Sequence, residues 1–397
     1  MIFLYGYRIM FRSVKVRLYP TKEQADKIRQ NIGCCRYIYN LMLAKKIEAY
    51  QKRKENIGKY ELMKMLPELK KRFLWLKEAD AASLQQSLID MDAAYQNFFK
   101  HNKRFPKFKK KQIGYGSFRC VCSLRASSST LKAGKHSELK FRCSDRDSAL
   151  LQSSNIRNIT VSEDTGLFYA SCLIEVPEKK YEGHKFSICG IDLGIKKPVA
   201  VAFRREIDGR KVVSYRTFGR NLTQALANKE SRRKRYQRQL ARKQKGSNNR
   251  LKALRKLQRA FKKERDYRQN FVEQVSYRLA KSFAVISFEN LNLTGMTKAV
   301  KKNEEGIRKG KAAKSGLNRS LLSIGMGALV DRTRIKASER HGQVVLVGPR
   351  FTSQICSCCG HKDKASRKSQ ALFVCTACGY KKNADYNAAR NVLKRAA

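Results

Sequence analysis

Four cysteines near the C-terminus constrain this chain more tightly than any other feature. Cys356 and Cys359 are separated by two residues, fifteen residues intervene, and Cys375 and Cys378 repeat the spacing. Each pair is followed directly by a glycine, Gly360 and Gly379. Two intervening residues let both thiolates of a pair reach one tetrahedral ion, and the glycine permits the tight knuckle turn. Four thiolates leave no open coordination position, so the expected metal is a structural Zn²⁺. Redox disulfides are the alternative reading. Cys358 is surplus, because its spacing to either neighbour does not suit a knuckle. The other seven cysteines (Cys34, Cys35, Cys120, Cys122, Cys143, Cys172 and Cys189) are scattered and read as reduced thiols. A secreted disulfide scaffold would spread its cysteines through a short chain, so the clustering favours metal binding in a reducing compartment.

Charge supplies the second constraint. Over 397 residues, 87 Lys and Arg against 32 Asp and Glu leave a net charge of +55. Such an excess repels itself unless an anionic partner neutralises it. Hydrophobic residues make up 42% of the chain, enough for real cores, which excludes a wholly disordered basic tail. No stretch approaches the ~20 apolar residues of a membrane span. The apolar opening at Met1–Tyr5 is cut short by Arg8 and Arg12, too early for a signal peptide. The expectation is a soluble cytoplasmic protein, with nucleic acid as its partner and no membrane.

Along the chain, Val14–Tyr19 alternates apolar with basic residues and stops at Pro20, as a half-exposed strand would. Residues 21–99 have helical texture, with Thr21 and Glu23 at the start and Leu84, Leu88 and Met91 at helical spacing. In Lys103-Arg104-Phe105-Pro106-Lys107-Phe108-Lys109, basic residues interleave with Phe, which suits phosphate contact plus base stacking; a solvated loop is the plainer reading. Residues 117–155 are Ser-rich without clear periodicity. Strand texture returns over 156–176, and 177–185 reads as a boundary. Two buried strands then surround Asp192, with a third near 212–218. Residues 221–270 hold 18 Lys/Arg against three acids, Glu230, Glu264 and Asp266. Gly246-Ser247-Asn248-Asn249 divides that segment into a helical hairpin, and Leu254, Leu257 and Phe261 mark one narrow core stripe. So many bases against three acids cannot pair internally, so an anionic strand is expected along it, with Arg232, Arg233 and Arg235 as candidate contacts. Ala284–Glu289 is another buried strand, 297–316 reads as a mobile Lys/Gly-rich loop, a helix covers 321–340, and a strand covers 344–347.

Three carboxylates fall at element ends. Asp192 follows an apolar strand, Glu289 ends another, and Asp385 precedes the last helix. Singly, they read as a turn residue, a strand-end charge and a helix N-cap. Together they describe acids converging at one edge of a mixed sheet. Neighbouring carboxylates raise each other's pKa unless cations neutralise them. Two Mg²⁺ ions roughly 3.5–4 Å apart, or Mn²⁺ in their place, would do so while activating water and stabilising the leaving oxygen of a phosphodiester.

Gly190-Ile191-Asp192-Leu193-Gly194 also resembles the first phosphate loop of actin-like ATPases, but no second glycine-rich loop accompanies it. The fuller pattern adds Phe288-Glu289-Asn290-Leu291, Thr352-Ser353-Gln354-Ile355 before the first knuckle, both knuckles, and Asn383-Ala384-Asp385-Tyr386-Asn387-Ala388-Ala389-Arg390-Asn391. With Val16–Pro20 and Phe105–Lys109, it resembles the TnpB family from about residue 14 to the end. These are insertion-sequence-encoded RNA-guided nucleases related to compact type V CRISPR effectors. The resemblance implies an α/β fold: an RNase H-like (RuvC) nuclease domain with an inserted zinc-ribbon-like module, and an N-terminal β-barrel (wedge) interrupted by a helical recognition region. Residues 1–30 and 112–183 would form the barrel, 31–111 the recognition region, 184–355 and 380–397 the nuclease, and 356–379 the zinc module. It assigns Asp192, Glu289 and Asp385 as catalytic acids and Mg²⁺ ligands. The helix holding Gln85 and Gln86 resembles the reader of a short motif flanking the target, since amides pair with adenine edges, with an exposed polar helix face as the alternative reading. Guide RNA and double-stranded target DNA would be the partners. The first 13 residues extend beyond the family's usual start, 117–150 match poorly, and Ser323–Met326 replaces an acid and a Trp common in relatives.

The function expected is RNA-guided, metal-dependent DNA cleavage beside a flanking motif. The alternatives are a nuclease-silent guided repressor and a DNA transposase.

Overall fold

The computed structural model describes residues 9–101, 104–177, 183–300 and 310–396. The chain divides into two compact units, residues 1–179 and 180–397.

In the first unit, Pro20 ends strand β1 (Ile9–Leu18) and Thr21 starts α1 (Lys22–Arg53). Thr21 and Gln24 close a reciprocal capping box, so Gln24 rather than Glu23 completes the helix start. Helices α2 (Lys59–Lys64), α3 (Leu66–Arg72) and α4 (Ala81–His101) follow. The Ser-rich stretch folds into short strands β2 (Tyr115–Cys120), β3 (Leu124–Ala126), β4 (Thr130–Ala133) and β5 (Leu139–Arg142), then α5 (Asp145–Ser153). With β6 (Ile156–Asp164) and β7 (Leu167–Pro177) these make a seven-stranded sheet ordered β2-β6-β7-β1-β5-β4-β3, antiparallel throughout. β1 is paired to β7 from Ile9↔Pro177 to Leu18↔Phe168. One core joins sheet and helices, with Val16, Leu18, Val161 and Ala170 against Ile28, Ile38, Met42, Leu84, Leu88 and Met91.

In the second unit, β8 (Phe186–Asp192), β9 (Val199–Ile207) and β10 (Arg210–Phe218) form an antiparallel meander. The basic segment folds as α6 (Leu222–Ala241) and α7 (Asn248–Ser282), a long helical hairpin broken where the glycine-asparagine turn lies. Next come β11 (Phe283–Glu289), α8 (Leu293–Met296), α9 (Lys311–Ile324), α10 (Met326–Ser338) and β12 (Gln343–Val347). The sheet order is β10-β9-β8-β11-β12, with β8, β11 and β12 mutually parallel. The small ribbon β13 (Leu372–Val374) and β14 (Lys381–Asn383) precedes the last helix, α11 (Ala384–Ala396).

Three local expectations are corrected. The helix expected over 321–340 is two helices, because Gly325 takes a left-handed φ of 74° that ends α9 and starts α10. Residues 311–316, expected in a mobile loop, are the first turns of α9; 301–309 lie outside the described residues. Phe261 is not on a core stripe but 45% exposed, while Leu257 and Ala260 are buried. The face α7 buries there is narrow, and residue 261 falls on its flank. The expected boundary at 177–185 and the apolar opening fall largely outside the described residues.

Candidate active site and metal centre

The sheet of the second unit has two distinct faces. Alternation along β8 and β11 sends Cys189, Ile191, Ile286 and Phe288 into a core shared with Val272, Val275 and Leu279 of α7 and Leu329 of α10. The opposite face carries α11. Gly190 is the contact point: a Cβ there would lie 2.2 Å from the Leu393 amide nitrogen and 2.4 Å from the Ala389 carbonyl oxygen. Only a residue without a side chain lets the helix backbone come so close. Ser287 pairs in register with Gly190, so Glu289 lies beside Asp192, both on the α11 face at the C-terminal ends of parallel strands. Asp385, in the first turn of α11, joins them. The plain reading of Asp385 as an N-cap is displaced by Asn383, whose side chain accepts from the Asp385 amide at 3.1 Å.

Electrostatics link Asp192 to the other two acids. Burial, then the charges of Glu289 and Asp385, push the Asp192 carboxyl up to about 8. Burial raises Glu289, opposed by the Thr352 hydroxyl and by Arg395 and Arg367. Burial raises Asp385 too, opposed by Lys197 and Arg367. Glu289 Oε1 is buried without a hydrogen-bond partner, a lone acceptor of the kind a cation would satisfy. The donor set is all hard oxygen, which suits Mg²⁺ or Mn²⁺. The three carboxylates do not close within 4.8 Å of one another, as the cysteines do.

Arg367 and Lys197 are two cations of this site that sequence reasoning missed. Arg367 comes from the cysteine module, at the end of a short turn (Lys364–Ser366) capped by Asp363 and bridged to Phe373. A single Arg in a basic chain has no motif to mark it.

The cysteine module is two copies of one turn. Cys356 and Cys375 amides donate to the carbonyls of His361 and Tyr380, at 2.8 and 3.0 Å. Gly360 and Gly379, with φ of 82° and 70°, donate back to the cysteine carbonyls. Cys356 and Cys378 sulfurs are 3.7 Å apart, as are those of Cys359 and Cys375, and all four lie within 4.8 Å of one another. A tetrahedron with Zn–S bonds near 2.3 Å has edges of about 3.8 Å, so the four sulfurs fit one Zn²⁺. Cys358 stands outside the group, as its spacing implied.

Two buried asparagines of α11 fasten this module to the acid site. Asn387 accepts from the Ser357 amide and donates to the Ile355 carbonyl, both at 2.9 Å. Asn391 donates to the carbonyls of Thr352 and Ile355 at 2.8 and 2.7 Å. The helix carrying Asp385 is thereby tied to the segment entering the first knuckle.

The candidate nucleic-acid contacts divide. Arg104, Phe105, Lys107, Phe108, Gln85, Arg232 and Arg235 are exposed. Phe105 also packs edge-on against Phe98 and Tyr95. Gln86 donates to Asp90. Lys109 holds its ammonium 3.9 Å from the Tyr39 ring centre, and its backbone exchanges two hydrogen bonds with the Asn40 side chain. Arg233 is taken up between Glu264 and Glu230, at 2.9 and 3.5 Å, over the Phe261 ring. Lys103 lies outside the described residues. No helix among the described residues is long and apolar enough to cross a membrane.

Three family models match, described as "Helix-turn-helix domain" over residues 10–55, "Probable transposase" over 171–300 and "Cas12f1-like, TNB domain" over 327–392. The first of these stretches is here a strand followed by one long helix. An Escherichia coli K12 protein, "Putative RNA-guided DNA endonuclease InsQ", is 32% identical over 385 residues, spanning 96% of this chain and 91% of its own length. A Streptomyces pristinaespiralis protein, "Putative RNA-guided DNA endonuclease", is 27% identical across 96% of this chain and 88% of its own. Among solved structures, a Cas12f1–sgRNA–target DNA complex shares the fold, with a TM-score of 0.60 at 15% identity over 97% of this chain and 98% of that one. On this relationship along nearly its whole length, the chain belongs to the TnpB family.

Proposed function

We propose that this protein is an RNA-guided DNA endonuclease whose cutting centre is Asp192, Glu289 and Asp385. The observation that carries the reading is the convergence of three carboxylates, from segments 193 residues apart in sequence, on one sheet edge, where burial raises the pKa of each and the charges of Glu289 and Asp385 raise that of Asp192 further. Relatives similar along nearly the whole chain carry the name RNA-guided DNA endonuclease. The mixed sheet, an antiparallel meander followed by parallel strands, supports an RNase H-like (RuvC) reading of the second unit. The seven-stranded sheet interrupted by helices supports the barrel and recognition regions of the first.

In this reading Asp192, Glu289 and Asp385 would hold two Mg²⁺ ions, which would supply activation of water and charge stabilisation at the leaving oxygen. The chain's own part is positional. Parallel strand register aligns Asp192 with Glu289, Gly190 admits α11, and the asparagine pair fixes the helix so that Asp385 completes the trio. Arg367 adds positive charge beside the trio, which an anionic phosphodiester would find favourable. The four cysteines would hold a structural Zn²⁺, which would keep Arg367 and the entry to α11 in place. Guide pairing chooses the sequence, and the exposed cations and rings of residues 104–108 and of α6 contact the nucleic-acid backbone and bases. The transposase alternative has the description of one family model, over residues 171–300, in its favour, but the relatives similar along nearly the whole chain carry an endonuclease name, and nothing favours a nuclease-silent repressor.

The test begins with the RNA that copurifies when the protein is expressed with its native flanking DNA. One defined species with a variable end supplies the target. Asp192→Ala then reduces Mg²⁺-dependent cleavage of that target to background while RNA binding stays intact. Undiminished cutting by the variant would refute the assignment.

A further inference from the structure

Resting on the reading of the carboxylate trio as a divalent-metal centre, a second feature bears on how readily that centre accepts its ions. Lys197 lies in the turn between β8 and β9, with its Nζ 3.8 Å from Asp385 Oδ2. Its ammonium also stands 5.3 Å from the centre of the Tyr386 ring, the residue next to Asp385. The side chain is 32% exposed, against 18% for Asp385.

The turn that carries Lys197 is built tightly. The Gly194 amide donates to the Pro198 carbonyl at 3.4 Å, and a Cβ on Gly194 would come within 2.9 Å of the Lys197 carbonyl oxygen. Thr223 of α6 donates its hydroxyl to the Ile195 carbonyl at 2.8 Å, pinning the turn's other side. Lys197 is therefore not a lysine that drifts near an acid. Its backbone is held, and its reach ends on one ligand of the trio.

We propose that Lys197 is a built-in competitor for the divalent cation at Asp385. With no metal present, the ammonium pairs with this carboxylate and offsets part of the trio's negative charge. A dication held by Asp385 would stand within a few ångströms of that ammonium, and like charges so close repel even when solvent screens them. Lys197 must release Asp385 for the metal to be held, so the residue sets metal affinity rather than the chemistry itself. It is a positioning residue for Asp385, and it makes the centre demand more free metal than three bare carboxylates would.

The test is metal binding, read without catalysis. Full-length, zinc-loaded protein freed of nucleic acid is titrated with Mn²⁺, and free Mn²⁺ is followed by electron paramagnetic resonance. Lys197→Asn removes the charge and should tighten Mn²⁺ binding about tenfold, from the repulsion relieved at this range. Lys197→Arg keeps the charge and should stay within about twofold of the parent. Zinc content and thermal unfolding establish that each variant is folded. Equal or weaker Mn²⁺ binding by folded Lys197→Asn overturns the proposal. Asp192→Ala separates this from failure of the centre itself: if that variant binds Mn²⁺ as the parent does, the trio is not the metal site and the nuclease assignment falls with it.

Discussion

The cysteine module and the carboxylate trio stand side by side in the same unit and are built in opposite ways. The cysteines lie within 23 residues, and each pair is closed by its own turn, with the same amide-to-carbonyl bonds repeated around Gly360 and Gly379. Their geometry needs little beyond local backbone and the ion itself. The acids are brought together from two parallel strands and a helix, and nothing local holds Asp192 near Asp385. That job falls to strand register, to the missing side chain of Gly190, and to Asn387 and Asn391. A local site tolerates change elsewhere in the fold, whereas an assembled one depends on every packed surface between its parts.

The largest test of this contrast is to remove the local site. Cys356→Ser should lower bound zinc from about one equivalent towards none, and target cleavage should fall on the order of a hundredfold or more, because three thiolates hold Zn²⁺ poorly and Arg367 and the asparagine latch lose their support. Metal analysis by mass spectrometry beside a cleavage assay checks this. Full activity without zinc would break the link between the two regions.

Gly190→Ala should do the reverse. The added Cβ meets helix backbone, which cannot swing aside as a side chain would, so α11 must shift and Asp385 with it. Cleavage is expected to drop roughly tenfold to a hundredfold, with a stability loss of about 1–3 kcal/mol, while zinc stays bound. If zinc is lost as well, the two regions are not separable.

The smallest effect is a pH dependence of stability. The Asp192 carboxyl is raised to about 8 in the fold, mainly by burial and by Glu289 and Asp385, against about 4 in an unfolded chain. The folded state then binds this proton more tightly. Its contribution is fully present below pH ~4 and is lost as pH rises through the folded value near 8. Without added divalent cations, Asp192→Asn should therefore melt about 3 °C or more above the parent at pH 8.5, with the gap closing towards pH 5. A gap that does not change with pH would show that Asp192 is not held in a charge-averse place.

Much of the fold was legible where one physical signal dominated. The strands around Asp192 and Glu289 and the hairpin break at 246–249 follow from apolar runs and turn residues. The strands within 117–155 did not announce themselves, because three of the four are only three or four residues long, with too few positions for alternation to register. Gly325 looked like one more residue of a helix, and only its left-handed φ shows that two helices meet there. Counting charges along α6 and α7 could not tell that Glu230 and Glu264 take up Arg233 and leave Arg232 and Arg235 exposed.

By itself, the sequence determined which four cysteines cluster, the basic character and which three acids are the candidates for the cutting centre. Spacing within a turn, net charge and motif order are properties of the chain before it folds. Tertiary structure alone decided which packed surfaces bring the acids to one edge, that Asn383 rather than Asp385 caps the last helix, and that Arg367 and Lys197 lie beside the trio. Those facts depend on which distant backbones pack together, and close packing across a sheet is set by all the contributing surfaces at once.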